Sequence, residues 1–240
     1  MIQLPPLEIT RDEFREVELY TKFRKALLQQ DETRPVGIHA SGLLDPRRTY
    51  WQEALPKDIT ERQVYFFIIG KVLHSLILQT DGQSDLGSHE ALGVFYSPDG
   101  RTEAENPVEV KTSRSNYEPR EGSLQEDLGH YLEQLACYLV LDNRLEGELW
   151  VLYLNLKNTA NRTFPELRCY KVILTEEQFY DIDQRVLEAR DALAHAREEH
   201  DPSQLPLCRQ WLCSPDACAW WSECQPPGRF PEVNKKRWTA

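Results

Sequence analysis

The chain holds 240 residues, 40% hydrophobic and 28% charged, enough for one globular domain with an appendage and a core of ordinary size. Acidic residues outnumber basic ones 39 to 28, a formal net charge of −11, and taken whole that balance argues against a polyanionic partner. No apolar run approaches the roughly 18 residues a membrane span needs, and the opening MIQLPPLEITRDEF lacks the basic and apolar regions of a signal peptide. A soluble, cytoplasmic protein is expected.

Residues 11 to 30 place Phe14, Val17, Tyr20, Phe23 and Leu27 at helical spacing among charges, a surface amphipathic helix within an N-terminal helical extension over 1–36. The stretch 37–54 reads as a loop entering a short helix, with Arg47 and Arg48 beside Tyr50 and Trp51. Residues 61–79 are apolar on most faces, which predicts a largely buried helix carrying His74. Between 87 and 113 two extended runs flank a Ser-Pro-Asp-Gly turn. Helical periodicity returns over 124–143, and LWVLYLNLK and LRCYKVIL supply two more strands. A charged helix then runs from Glu176 to His200 behind a capping box of Thr175 with Glu177, ended by Pro202 and Pro206. This order predicts an α/β core over 37–200, a mixed central sheet flanked by helices, followed by a cysteine-rich basic tail over 201–240.

Within Pro107–Ser113, Glu109 and Lys111 stand two apart on a predicted strand and share a face, which lets one strand hold a cation and a water side by side. Composition alone yields about one Glu-x-Lys in a chain like this, so the motif needs company. Glu90 lies on the preceding extended run, where strand pairing would bring a second carboxylate to a shared divalent cation. His74 is a polar ring on an apolar helix and needs a partner. Gln134 and Tyr138, four apart, share a helix face. Asp81, Asp85 and Asp99 are reserve carboxylates, Asp99 reading more simply as a turn residue. His89 would point to the face opposite Glu90.

In the order Gly70 to His74, Gly87-Ser88-His89-Glu90, Glu109-Val110-Lys111 and Gln134 to Tyr138, the sequence resembles the PD-(D/E)xK nuclease superfamily, within it the RecB-like branch that includes the CRISPR-associated iron-sulfur exonucleases. The resemblance spans residues 37–155 and implies a restriction-endonuclease-like core. It also implies Mg²⁺- or Mn²⁺-dependent hydrolysis of DNA, as an exonuclease on single-stranded ends, in recombination, repair or CRISPR adaptation. His74, Glu90, Glu109 and the carbonyl of Val110 are the implied metal ligands. Lys111 would orient or activate water and neutralise charge on the phosphate, and Gln134 and Tyr138 would brace the site or touch the nucleic-acid backbone. The family's second acid is usually Asp, and Glu90 departs from that.

Of six cysteines, Cys137 and Cys169 stand inside apolar runs as small core residues. Cys208, Cys213, Cys218 and Cys224 crowd into seventeen residues, the right number of thiolates for a [4Fe-4S] cluster or a structural zinc. Their gaps are longer than the close pairs zinc prefers and favour the cluster, with unligated thiols the remaining reading. The iron-sulfur subgroup carries one cysteine upstream of its core, in Cys-Pro-Arg, where this chain has Asp45-Pro46-Arg47. Cys208 is the favoured fourth ligand; Asp45 or loss of the cluster are the alternatives. Trp211, Trp220 and Trp221 would shield the site.

Charge is unevenly spread. Residues 176–200 hold eight acids and three arginines, whereas 37–60 and 101–120 each balance to zero. A DNA path is therefore expected to be local, along Arg47, Arg48, Lys111, Arg114 and Arg120, with affinity falling steeply in salt. Two other readings are a catalytically weak nucleic-acid-binding iron-sulfur subunit of a larger DNA-processing assembly and a redox-sensing iron-sulfur protein.

Overall fold

The computed structural model describes residues 21, 35–57, 61–80, 88–115, 117, 124–157, 163–208, 213 and 218–224. The expected helix over 11–30, Thr21 apart, lies outside them, as do Asp81, Asp85, Arg120, Trp211 and residues 225–240. The elements in chain order are β1 (Ile38–His39), the short α1 (Ala40–Leu43), α2 (Pro46–Ala54), α3 (Glu61–Thr80), β2 (His89–Ala91), β3 (Val94–Tyr96), β4 (Gly100–Arg101) and β5 (Pro107–Ser113). They continue as α4 (Leu124–Asp127), α5 (Gly129–Leu141), β6 (Glu146–Lys157), β7 (Thr163–Ile173), α6 (Glu176–Glu198) and α7 (Trp221–Cys224).

The strands form two mixed sheets. One has the order β1-β3-β2, with β1 parallel and β2 antiparallel to β3; the other runs β4-β5-β6-β7, its central β5/β6 pair parallel and both flanking pairs antiparallel. The expected single central sheet is thus divided. The division falls at Ser97–Asp99, because the chain leaves β3 in one sheet and enters β4 in the other through the Ser-Pro-Asp-Gly turn.

Along β6 the residues Gly147, Leu149, Val151 and Tyr153 are buried and alternate with more exposed neighbours, the period-2 pattern of a strand with one covered face. Leu149, Val151 and Tyr153 pack with Leu128, Leu135 and Leu139. A second core joins Val94 and Tyr96 of β3 to Tyr50, Tyr138, Leu141, Val186 and Leu193, so α2, α5 and α6 share it with the smaller sheet. Gly147 marks where α5 comes closest to the sheet: a Cβ there would stand 2.8 Å from the Pro107 carbonyl oxygen and 2.9 Å from Leu139 Cδ2. Gly147→Ala should therefore cost about 2 kcal/mol, the usual scale of overpacking, read as a lower urea midpoint at unchanged slope.

Three expectations need correction. Helix α3 is not largely buried: Val64 is fully enclosed and the helix packs on β5, but Tyr65, Phe67, Ile69 and Val72 are 41–60% exposed. A helix apolar all round buries only the stripe that meets another layer. Among the described residues no helix is long and apolar enough to cross a membrane. Cys169 is exposed, because β7 is an edge strand whose outward positions are uncovered, whereas Cys137 does lie in the core. The capping box of α6 is made by Gln178, not Glu177. Gln178 N donates to Thr175 Oγ1 at 3.2 Å and Thr175 N donates to Gln178 Oε1 at 2.9 Å, since the third residue after the cap is the one whose side chain reaches back.

Candidate active site

Strand β5 presents Glu109 and Lys111 on the face that Leu149 and Val151 present from β6, since Glu109 is in register with Leu149 and Lys111 with Val151. That face lies under α5. Glu109 is 1% exposed. Its carboxylate forms an ion pair with the Lys111 ammonium, and neither oxygen accepts a hydrogen bond of ordinary geometry.

A second carboxylate adjoins it, and it is Asp99. Asp99 Oδ2 accepts the backbone N–H of Val110 at 2.7 Å. The antiparallel register of β4 on β5, Gly100 opposite Val108, extends to set residue 99 against Glu109. Burial, reinforced by the negative charge of Asp99 and opposed by Lys111, leaves the Glu109 carboxyl raised to about 8. Burial works against the Lys111 ammonium, but Glu109 and Asp99 outweigh it and hold its pKa above the ordinary lysine value. A buried acid held toward its neutral form by burial and by a neighbouring carboxylate is a group whose ionisation a bound cation would favour.

His74 completes this end of the site, with Nδ1 3.7 Å from Asp99 Oδ1. Helix α5 covers it. Gln134 Nε2 donates to the Tyr138 hydroxyl at 2.7 Å, and Tyr138 is buried, its hydroxyl held well above its usual pKa by burial and by the charge of Glu109. Tyr131 lies one helical turn before Gln134, its ring centroid 6.0 Å from Lys111 Nζ. Tyr131 escaped the sequence reading, although 131, 134 and 138 fall on one helix face.

Glu90 is not brought to this cluster. It is exposed on β2, the edge strand of the smaller sheet, and pairs with Phe95. The acid beside Glu109 is Asp99, the residue set aside as a turn former. It both ends a turn and faces β5, and the signal that marked it was the short reach from that turn into a strand antiparallel to Glu109-Val110-Lys111.

The other chemistry-bearing group is a pocket lined by Cys208, Cys213, Cys218 and Cys224 together with Arg47, Arg48, Trp51, Trp220 and Trp221. The thiols influence one another: burial first, then the charges of Asp45, Cys213 and Cys218, together raise the Cys208 pKa to about 11. Asp45, which stands where the resembled subgroup has its upstream cysteine, is thus close to Cys208. The tail is tied to α2 by Arg47, whose Nε and Nη2 donate to the carbonyls of Pro202 and Ser203 at 3.0 Å each. It is tied again by Trp220 Nε1 donating to the Leu55 carbonyl at 2.8 Å and by Lys57 paired with Glu223 at 2.8 Å. Arg47, expected on a DNA path, is buried with Nε and Nη2 committed to the tail, and so acts as a structural tie. Arg48 belongs to the cysteine pocket. Arg114 is exposed just beyond β5.

Among the described residues no group of three His, Cys, Asp or Glu forms a ready coordination shell. The donor set at Glu109 and Asp99 nonetheless suits Mg²⁺ or Mn²⁺: Mg²⁺ is usually held by one or two carboxylates, with waters and phosphate oxygens filling the other positions. The buried Glu109 carboxyl, with Lys111 as its counter-ion and no hydrogen bond of ordinary geometry, is the observation that fits. The four thiols that line one pocket are the donor type of an iron-sulfur cluster or zinc, although they are not gathered into a coordination shell.

No family model matches the sequence, and no curated protein matches it. Among solved structures the fold is similar to the crystal structure of SSO0001, at 20% identity over 88% of this chain and 96% of that one, with a TM-score of 0.54. That likeness runs through nearly the whole of both chains and shows a shared fold. Looser alignments join a phage-related exonuclease from Haemophilus somnus 129PT, 12% identical over 72% of this chain and all of that one (TM-score 0.48), and LHK-Exo, an alkaline exonuclease from Laribacter hongkongensis crystallised with dAMP, 12% identical over 68% and 91% (TM-score 0.43).

Proposed function

We propose that the protein is a metal-dependent nuclease that hydrolyses phosphodiester bonds in DNA. The observation that carries this reading is the buried Glu109 carboxylate, paired with Lys111 on one strand face and pressed against Asp99. Glu109 and Asp99 would hold Mg²⁺ or Mn²⁺, with His74 and the Val110 carbonyl as further donors. A bound divalent cation supplies Lewis acidity and a water of lowered pKa. Lys111, kept charged by both acids, would orient an attacking water and neutralise the charge that builds on the phosphate. Gln134 and Tyr138 lock each other by their hydrogen bond and keep the wall of the site under α5 rigid. The exonucleolytic sense, the preference for single-stranded ends and a place in recombination, repair or CRISPR adaptation follow from the family resemblance.

The four tail cysteines, in the same proposal, hold a structural [4Fe-4S] cluster, or zinc, that fixes the tail against α2. Incubating the full chain with end-labelled single-stranded DNA and Mn²⁺ tests the catalytic part. Cleavage should stop on chelation and fall by roughly 10²–10⁴ in Lys111→Ala, the range for a lost proton-transfer or charge-stabilising group; undiminished cleavage in that variant would sink the proposal.

A further inference from the structure

The wall of the cysteine pocket contributed by α2 has two buried donors that the fold leaves without a strong acceptor. Arg48 Nε is buried without a hydrogen-bond partner, Trp51 Nε1 is buried with only the Cys224 thiol to donate to, and both residues line the pocket shared by Cys208, Cys213, Cys218 and Cys224. Burying an N–H without a strong acceptor is costly, so two such donors on residues that line one pocket call for an acceptor there. A neutral thiol is a weak acceptor, whereas a metal-bound thiolate or a sulfide is a charged one. The Trp51 indole stands beside the Cys224 sulfur, and the backbone N–H of Arg48 beside that of Cys208. The Trp51 ring is itself fixed edge-on against Tyr50, 5.5 Å between centroids at 88°, so the direction of its N–H is set by packing.

We propose that Trp51 and Arg48 are positioning residues for a sulfur-ligated metal group, donating N–H···S hydrogen bonds to the sulfur atoms of an iron-sulfur cluster held by the four cysteines. This inference rests on the cluster reading given above. Hydrogen bonds to sulfur stabilise the reduced, more negative state of a cluster, so they set its reduction potential as well as its orientation. Sequence spacing could not reveal this, because the donors lie 160 residues and more from the thiols they face and nothing local marks them.

The test is anaerobic reconstitution of the full chain with ferrous iron and sulfide, followed by iron analysis and a redox titration of the visible band. Trp51→Phe keeps the ring and removes the N–H; Arg48→Lys keeps the charge and removes Nε. Each variant should load iron as the wild type does, while its one-electron reduction equilibrium moves about tenfold toward the oxidised form, about 59 mV more negative. Iron-loaded variants with the wild-type potential would overturn the inference and leave the cluster reading standing. Loss of iron from a variant would assign that residue to packing and overturn its part of the proposal. A wild-type chain that takes up no iron would overturn the cluster reading and this inference with it.

Discussion

Asp99→Asn is expected to abolish Mn²⁺-dependent DNA cleavage, by roughly 10²–10⁴-fold, while Glu90→Ala leaves the rate within about twofold. The contrast isolates which acid shares the cation with Glu109. Asparagine keeps an oxygen able to accept the Val110 N–H, so the local backbone stays in place and only the charge is removed. The same pair of variants separates binding from chemistry in a thermal melt. Mn²⁺ at a hundred times its Kd stabilises a protein by about 2.7 kcal/mol. That gain should appear in the wild type and in Glu90→Ala and be missing in Asp99→Asn. Equal loss of activity in Glu90→Ala and Asp99→Asn would contradict the assignment.

The second large effect concerns stability. Asp142 follows α5 and accepts two hydrogen bonds from Arg101, at 2.5 and 2.8 Å, and one from the Tyr96 hydroxyl at 2.9 Å. Tyr96 belongs to β3 in one sheet and Arg101 to β4 in the other, so this carboxylate clamps the two sheets on either side of the linker that carries Asp99. Burial and the Asp142 carboxylate push the Tyr96 hydroxyl up to about 12. Asp142→Ala leaves the Tyr96 hydroxyl without its acceptor and the Arg101 guanidinium without its counter-ion, with only the Glu105 carbonyl still accepting from Nη1, and should cost about 3 kcal/mol. It should also depress cleavage by loosening Asp99. Burial works to raise the Asp142 carboxyl, but Arg101 and Tyr96 prevail and hold it below the ordinary aspartate value. Its contribution is therefore complete above about pH 4 and lost as acid protonates the folded form. Between pH 6 and pH 2 the stability gap between wild type and Asp142→Ala should shrink, which chemical denaturation at each pH will measure.

Much of the fold was legible because its signals are local. The alternation along β6, the polar breaks at 158–162 and the cap before α6 follow from nearest neighbours in the chain, and the order of helices and strands followed from them. Lys111 beside Glu109 was legible for the same reason, since a spacing of two on a strand fixes a common face. What was missed depended on pairing between segments. Asp99 and Glu90 are both carboxylates on extended segments upstream of Glu109, and only the register of β4 on β5 distinguishes them. Arg47 looked like a surface cation beside an aromatic pair, yet its partners are the carbonyls of residues 202 and 203, which no local pattern announces. Helix α3 read as buried because apolar content measures what a helix can bury, not how many layers are present to cover it.

The cysteine pocket has a consequence for how the protein is made. Its walls come from residues 47–51 and from 208–224, so it cannot close until the ribosome has released nearly all of the chain described here. Domains otherwise begin folding from the N-terminus during synthesis, and both sheets can be in place before the first tail cysteine emerges. Joining segments so far apart is a late step paid in loop-closure entropy. Uptake of a metal by the pocket would then be a finishing event on a nearly folded body, and a chain starved of that metal would hold its tail by the Arg47, Trp220 and Lys57 contacts alone while Glu109 and Asp99 already stood in position.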